Sequence, residues 1–464
     1  MKVLIIGGGI GGFAAALSLH AAGIDSEVYE QSPEIHESGA GINMLPHAVK
    51  ELAALGLLDR LDAVGVRTRE LIYCNRLGQR IWREPRGLDA GYDHPQFSIH
   101  RGRLHAVLHS AARERLGAAR IRPGHRLVAY DQDEHGVTAT FANGVIARGD
   151  LLVAADGIHS TVRRSLYPAE GPPTWNGMMM WRGTVPYPRF GTGRSMIISG
   201  GLNRAKLVLY PISNDDPPLL NWVVCVKLGD GTRPPPRRED WNRPGRVEDV
   251  LPHVEREFRL SIVDVPEVIR RAGRCSEFPM CDRDPVPRWS FGRVTLLGDA
   301  AHPMYPVGSN GASQAILDAR CLASLLAPAP PPGEKASPLS DQAPPPGEKA
   351  PPLSEQAAPP GKQAALLSEQ APPLSEQSAG GGVAPALIEY EARRLPATAE
   401  IVRLNRLGGP EGVIDLVAER APDGFTDIDE VATRAELEAV IKGYSVTAGF
   451  DQSQVNRQMP PSAG

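Results

Sequence analysis

MKVLIIGGGIGGFAAALSLHAAGIDSEVYEQ, residues 1–31, writes out a strand, a glycine turn, a helix and a second strand that ends in an acid. The apolar run Val3 to Ile6 leads into Gly7, Gly9 and Gly12, which satisfy G-x-G-x-x-G, and Ala14 to Ala22 continue as a helix. Each glycine has its own task. Gly7 permits the tight turn, Gly9 lets a pyrophosphate approach the backbone, and Gly12 lets helix and strand pack closely. The helix N-terminus adds unpaired N–H groups and a partial positive charge. Glu30 can accept hydrogen bonds from ribose hydroxyls and would repel a 2′-phosphate. The turn therefore predicts the adenosine half of an FAD- or NAD-type ligand rather than NADP.

The rest of the chain bounds the answer. Its 464 residues suffice for two or three domains' worth of structure. A net charge of −4, with Lys and Arg scattered, leaves no footprint for a nucleic-acid partner. No apolar run reaches the ~18 residues of a membrane-spanning helix, and the first strand begins too early for a leader peptide, so a cytoplasmic location is expected. Cys74, Cys225, Cys275, Cys281 and Cys321 form no C-x-x-C and read as small apolar residues.

Residues 1–168 alternate strand and helix signals, as an open α/β sheet does, with HRGRLHAVLHSAARERLG (100–117) as an amphipathic helix. From 169 to 285 the texture changes to short β-like runs (MMMWRGTVPY, SMIISG, AKLVLYPI, NWVVCVKL) between Gly, Asn, Asp and Pro turns. This predicts a mostly antiparallel substrate-binding sheet inserted into the nucleotide-binding domain, which resumes over 286–326. Residues 327–385 hold fifteen of the 44 prolines and no aromatic residue, and repeat with period 14 (Gly333, Gly347, Gly361). Such a segment cannot bury enough apolar surface to offset its ordering entropy and is expected to be a disordered insertion. Residues 386–464 resume as helices, the first with a kink or break at Pro396. The expected class is α/β: a Rossmann-like domain, an inserted antiparallel sheet and C-terminal helices.

Two further motifs carry chemistry. In LLVAADGIHSTVRR (151–164) a strand ends in Asp156-Gly157, a pairing that is also common in ordinary turns. In VTLLGDAAHPMYPVGSNGASQAILD (294–318) Asp299 ends a strand, where ligands of α/β sheets bind, and a carboxylate there can hold the hydroxyls of a sugar-alcohol chain. The Gly308 to Ala312 loop presents N–H groups at a helix N-terminus, suited to an edge that becomes negative on reduction. His302 lacks metal-ligand spacing, and Ser160 lacks the G-x-S-x-G surround, so neither a metal site nor a catalytic triad is expected.

Together, and in this order, the three motifs resemble the single-component FAD aromatic monooxygenases of the p-hydroxybenzoate hydroxylase type. The resemblance covers about residues 1–326 and resumes near 386–410. Shorter matches (SIHRG, MWRG, YPIS, NWV, DWNRPGRVEDVLP, DRDPVPRW) are similar to the branch acting on phenazine carboxylates, although hydroxylases of salicylate- and nicotinate-like rings share several. The resemblance implies non-covalent FAD held by Gly7, Gly9, Gly11, Gly12, Phe13, Glu30, Gln31, Gly41, Arg101 and Leu127. It adds Asp156, Gly157 and Asp299, with Pro306, Gly308, Gly311 and Ala312 at the isoalloxazine. Arg103 is an equally available cation beside Arg101.

The implied reaction uses NADH to reduce FAD. The reduced flavin takes O2 to a C4a-hydroperoxide, and its terminal oxygen attacks an electron-rich ring carbon, with decarboxylation if that carbon bears the carboxyl. The pocket must exclude water. Its expected lining is Trp181, Arg182, Tyr210, Trp222, Met304 and Tyr305, with Arg182 anchoring a carboxylate and Tyr210 as the candidate base; no other catalytic residue is identified. Two alternatives keep the fold: a flavin oxidase or dehydrogenase, and a flavin- or aromatic-binding protein without turnover. The halogenase signature G-W-x-W-x-I-P is absent. Monomer and homodimer are both compatible with the sequence.

Overall fold

The computed structural model describes residues 1–34, 39–235, 243–328 and 383–457; nearly all of the proline-rich stretch lies outside them. A six-stranded sheet carries the N-terminal motif, in the order Ser290–Phe291, Val294–Leu296, Leu151–Ala154, Lys2–Ile6, Asp25–Tyr29, Ile121–Arg122. All neighbours are parallel except the first pair. Val3, Leu4, Ile5, Leu151, Leu152 and Val153 are 0% exposed, as the central strands of a parallel sheet covered on both faces must be. The helices Ile10–Ala21, Arg101–Leu116 and Gly311–Leu326 share the core with it.

This strand order positions the site. Ile6 pairs with Ala154 and Ala154 with Leu296, so three parallel neighbours end side by side. Gly7, Asp156 and Asp299, separated by up to 292 residues of chain, therefore leave the same edge of the sheet, the crevice in which open α/β sheets bind ligands.

A second sheet has eight strands, in the order Pro244–Gly245, Cys275–Asp282, Thr174–Pro186, Leu219–Lys227, Ala205–Pro211, Ser195–Ser199, Glu70–Cys74, Arg80–Pro85. Its last two strands come from the span whose texture read as nucleotide-binding. Glu70–Cys74 pairs parallel with Ser195–Ser199, a partner 125 residues away that leaves no local mark in the sequence. One face packs on the helices Val247–Glu257 and Val265–Ala272. The other meets Tyr305 and Val307 and the helix Gly412–Arg420.

The helix Val383–Arg406 runs through Pro396 without a break. The helix Arg434–Thr447 starts on a capping box between Thr433 and Glu436, and Gln452–Val455 adds a last turn. Among the described residues no helix is long and apolar enough to cross a membrane.

Candidate functional site

Close approach dictates two of the glycines. Gly7 has φ +105°, and a Cβ there would lie 2.3 Å from Ala155 O; a Cβ on Gly12 would lie 1.9 Å from Gly7 O. At Gly9, the N-cap of Ile10–Ala21, an added Cβ meets no protein atom within 4 Å. That is the arrangement a pyrophosphate needs at a helix N-terminus. Gly11 is turned into the protein, against Leu297 and Ala315, and Phe13 is buried against His105 and His109.

Glu30 closes the turn from the other side. Its Oε2 accepts the Gly8 N–H (2.7 Å) and its Oε1 the Ser32 N–H (2.8 Å), and each oxygen keeps a further lone pair for a ribose hydroxyl. Gln31 beside it is exposed. The side chain of Leu127 is buried in the core, two residues past His125, whose N–H reaches Glu30 O at 2.8 Å. Sequence reasoning passed over His105, which lies with Nε2 2.6 Å from Gly8 O and fixes the turn from the Arg101–Leu116 helix.

Arg101 opens that helix, its N–H on Ala40 O (2.9 Å) and its stem packed against Gly39. Burial lowers its pKa, opposed by the charge of Asp299. Asp299 keeps accessible surface; desolvation by the surrounding protein raises its carboxyl, with His302 and Arg101 pulling the other way. A cation and a carboxylate converging at the carboxyl ends of the strands suit phosphates and sugar hydroxyls respectively. Asp156 accepts the N–H of Thr161 (2.7 Å), the first residue of the helix Thr161–Leu166 that Ser160 caps, and burial pushes its carboxyl up. Gly157, at φ +77°, has open space around it.

Two residues inside the quoted motifs fix the geometry without having been singled out. Arg163 donates to Ala300 O (3.1 Å), Ala301 O (2.7 Å) and Asp284 O (2.9 Å), clamping the Asp156 segment to the Asp299 segment. Asp318, 0% exposed, accepts the Gly298 N–H (3.0 Å), lies 2.6 Å from His302 Nε2 and accepts from Arg394 Nε (2.7 Å). Burial alone would raise its carboxyl, but His302 and Arg394 overcome this and hold it down at about 2.

The loop before Gly311–Leu326 is left-handed at two successive residues, Gly308 (φ +63°) and Ser309 (φ +59°). For Ser309 that conformation costs about 1–3 kcal/mol and persists only when neighbours over-determine it. Pro306 is exposed. A Cβ on Gly311 would meet only Met304 Cγ (3.9 Å) and Asp299 Oδ1 (4.0 Å), so this helix start and Asp299 border the same space, with half-buried Ala312 next along.

Strand alternation sorts four of the six residues expected to line the substrate pocket; Met304 and Tyr305 lie in the loop before Gly311–Leu326. Trp181 and Trp222 point to the far face, into the core under the two helices; Trp222 is 0% exposed, and Trp181 stacks on His253. They are core residues, a correction to the expected lining. Arg182 and Tyr210 belong to the near face, shared with Met178, Met180 and Tyr305. Arg182 is 9% exposed, and burial together with the like charge of Arg101 pushes its pKa down to about 9, with Tyr210 opposing. Gly41 is seated against this group. Its N–H donates to Asn221 Oδ1 (2.6 Å), and a Cβ there would lie 2.6 Å from the Tyr210 ring.

The comparisons agree with this geometry. The family model described as FAD binding domain matches residues 1–337. Phenazine 1,6-dicarboxylic acid hydroxylase of Lysobacter antibioticus is 44% identical over 335 residues, 70% of this chain and 82% of that one. 3-Hydroxybenzoate 6-hydroxylase 1 of Aquipseudomonas alcaligenes is 32% identical over 327 residues, 69% and 79% of the two chains. Among solved structures, Klebsiella pneumoniae R204Q HpxO complexed with FAD shares the fold, with TM-score 0.67 at 23% identity over 97% of this chain and 98% of that one. The residues present fit such a cofactor: open backbone at Gly9, a carboxylate at each end of the crevice, and a helix start beside Asp299.

Proposed function

The chain belongs to the family of FAD-dependent aromatic monooxygenases, and from that premise we propose that it hydroxylates a carboxylated aromatic of the phenazine-carboxylate type. NADH serves as reductant, and the carboxyl is lost where attack falls on the carbon that bears it. FAD, when bound, supplies hydride acceptance and the activation of O2. The observation that carries the substrate reading is Arg182: a buried guanidinium on the near face of the second sheet, the face from which Met178 and Met180 also project, with the like charge of Arg101 acting on it. A planar guanidinium suits a carboxylate, which it can meet with two parallel hydrogen bonds. The phenazine dicarboxylic acid named for the 44% identical relative has that chemistry.

Burial raises the Tyr210 phenol far above the working pH, opposed by Arg182. As a neutral phenol it supplies a hydrogen-bond donor on the near face. The buried methionines and Tyr305 keep water from the reacting carbon. A cleft of about 760 Å³ opens beside the Asp156 turn, lined among others by Arg164, Arg233 and the Glu170–Arg283 ion pair, and the first two guanidinium groups support approach of NADH from that side, since such groups suit a pyrophosphate. The test is aerobic NADH consumption across phenazine, quinoline, benzoate and nicotinate acids under labelled O2. Phenazine acids should accelerate it and yield product carrying one labelled oxygen atom. Stoichiometric peroxide without labelled product would identify an oxidase, and no stimulation by any acid would refute the reading.

A further inference from the structure

We infer that Tyr444 is a positioning residue for the flavin: through Asn310 and Asn405 it holds the Gly308–Asn310 backbone, and with it the N–H groups at the head of Gly311–Leu326. The inference rests on the reading that this loop seats the N1–C2=O edge of the isoalloxazine.

The Tyr444 hydroxyl closes a chain of hydrogen bonds whose two ends both lie on the loop. Asn310 Nδ2 donates to the hydroxyl (3.0 Å), the hydroxyl donates to Asn405 Oδ1 (2.7 Å), and Asn405 Nδ2 donates to Tyr305 O (3.2 Å). One turn into the helix, Gln314 Nε2 donates to Asn310 Oδ1 (3.2 Å) and to Ala448 O (3.0 Å). The Tyr444 ring lies directly under Gly308, where a Cβ would come within 2.4 Å of the hydroxyl, and a Cβ on Gly409 would reach the ring at 3.0 Å. These bonds are the surroundings that keep Ser309 left-handed. All four polar side chains are buried, so water does not replace a bond that is lost. Reduction places negative charge on the N1–C2=O edge, so donors that are correctly aimed stabilise the reduced form more than the oxidised one, and donors that drift lose that preference first. The Arg434–Thr447 helix thereby has a function beyond covering the core: it sets the flavin's electronic environment from the C-terminal end of the chain.

The test uses purified holoenzyme. Tyr444→Phe keeps the ring under Gly308 and deletes the hydroxyl. It should cost about tenfold in preference for reduced over oxidised flavin, read as a midpoint potential about 30 mV more negative, with less than about threefold loss of affinity for oxidised FAD. Asn405→Leu breaks the same chain without touching the ring and should shift the potential similarly, and the double variant should shift it no further, since both cut one chain. An unchanged potential, or shifts that add, would overturn the inference, because a tyrosine with only a packing role would alter melting and leave the potential alone. If Tyr444→Phe yields no holoenzyme, Asn405→Leu decides alone. The potential is read without substrate, so failure of the aromatic-acid reading and failure of this inference register in separate measurements.

Discussion

Replacing Asp318 with Asn should both destabilise the protein and loosen its hold on FAD, although the residue touches no ligand. Asp318 is fully buried and holds three partners, the Gly298 N–H, His302 and Arg394. Its carboxyl is held at about 2 against an ordinary 3.8, so its ionisation carries stability on the order of 2 kcal/mol. Asn cannot neutralise the Arg394 guanidinium, and its amide turns a donor toward His302 or Arg394. Breaking a buried pair by removing one partner costs about 3–5 kcal/mol, which in a chain of 464 residues lowers Tm by roughly 3–5 °C. Because Asp318 also holds His302 and the Gly298 N–H next to Asp299, an unneutralised Arg394 and a misdirected amide should disturb that strand end, and FAD should bind about tenfold more weakly, about 1.4 kcal/mol. The folded-state pKa lies below the unfolded one, so this stabilisation is complete above about pH 4 and is lost as pH falls toward 2. The variant should lack that part of the acid transition. Differential scanning of apo- and holoprotein from pH 2 to 8, with FAD titration at pH 7, measures all three quantities. Equal melting temperatures and an intact acid slope in Asp318→Asn would refute the reasoning.

Two glycine substitutions should separate folding from binding. Gly12→Ala drives a Cβ to 1.9 Å from Gly7 O and should prevent stable folding, whereas Gly9→Ala, with nothing within 4 Å, should leave apoprotein Tm unchanged and weaken FAD, checked by melting and by flavin titration. Arg182→Gln removes a charge-assisted hydrogen bond worth about 1.5–3 kcal/mol, so KM for a carboxylated ring should rise by roughly ten- to a hundredfold, while the decarboxylated analogue shows little change in steady-state assays. Asp415, at the seam between Gly201 and the Gly412–Arg420 helix, has its carboxyl raised to about 6 by burial and by Glu411. A raised carboxyl is stabilising while protonated, and that contribution is lost as pH climbs from about 4 through 6. Asp415→Asn should therefore melt higher than the parent at pH 8, by roughly 1–2 kcal/mol after allowance for partial exposure, and equally at pH 4.

How much of this was legible in the chain depended on whether a constraint is local. The Gly7–Gly12 turn, the strand ends at Asp156 and Asp299, and the helices are set by neighbours in sequence, and reading them was enough to recognise the fold and the cofactor. Pairing across long separations was not legible: nothing in ELIYC announces that Glu70–Cys74 lies parallel to Ser195–Ser199. Nor were the roles of Arg163, Asp318, Asn405 and Tyr444, whose partners lie on other elements, up to 138 residues away in the pairs described here.

The pocket-facing side of the second sheet shows why a correct strand reading still misassigns side chains. Thr174–Pro186 is buried almost throughout, because helices cover one face and the flavin-binding half covers the other. A strand buried on both sides has no polar–apolar alternation from which to read its faces. Period two nonetheless holds, so Trp181 must face away from Arg182, and Met178 and Met180 must face with it. If Arg182 addresses the anion, Trp181 cannot line the same pocket, whatever its attraction as an aromatic platform. One charged residue of known direction is enough to orient the whole strand, and the pairings Arg182–Val223 and Tyr210–Asn221 carry that orientation across two further strands. The Arg182→Gln measurement therefore tests the facing of three strands at once: a variant with unchanged KM for the carboxylated ring would put the substrate on a different surface and reopen the assignment of every residue sorted by this alternation.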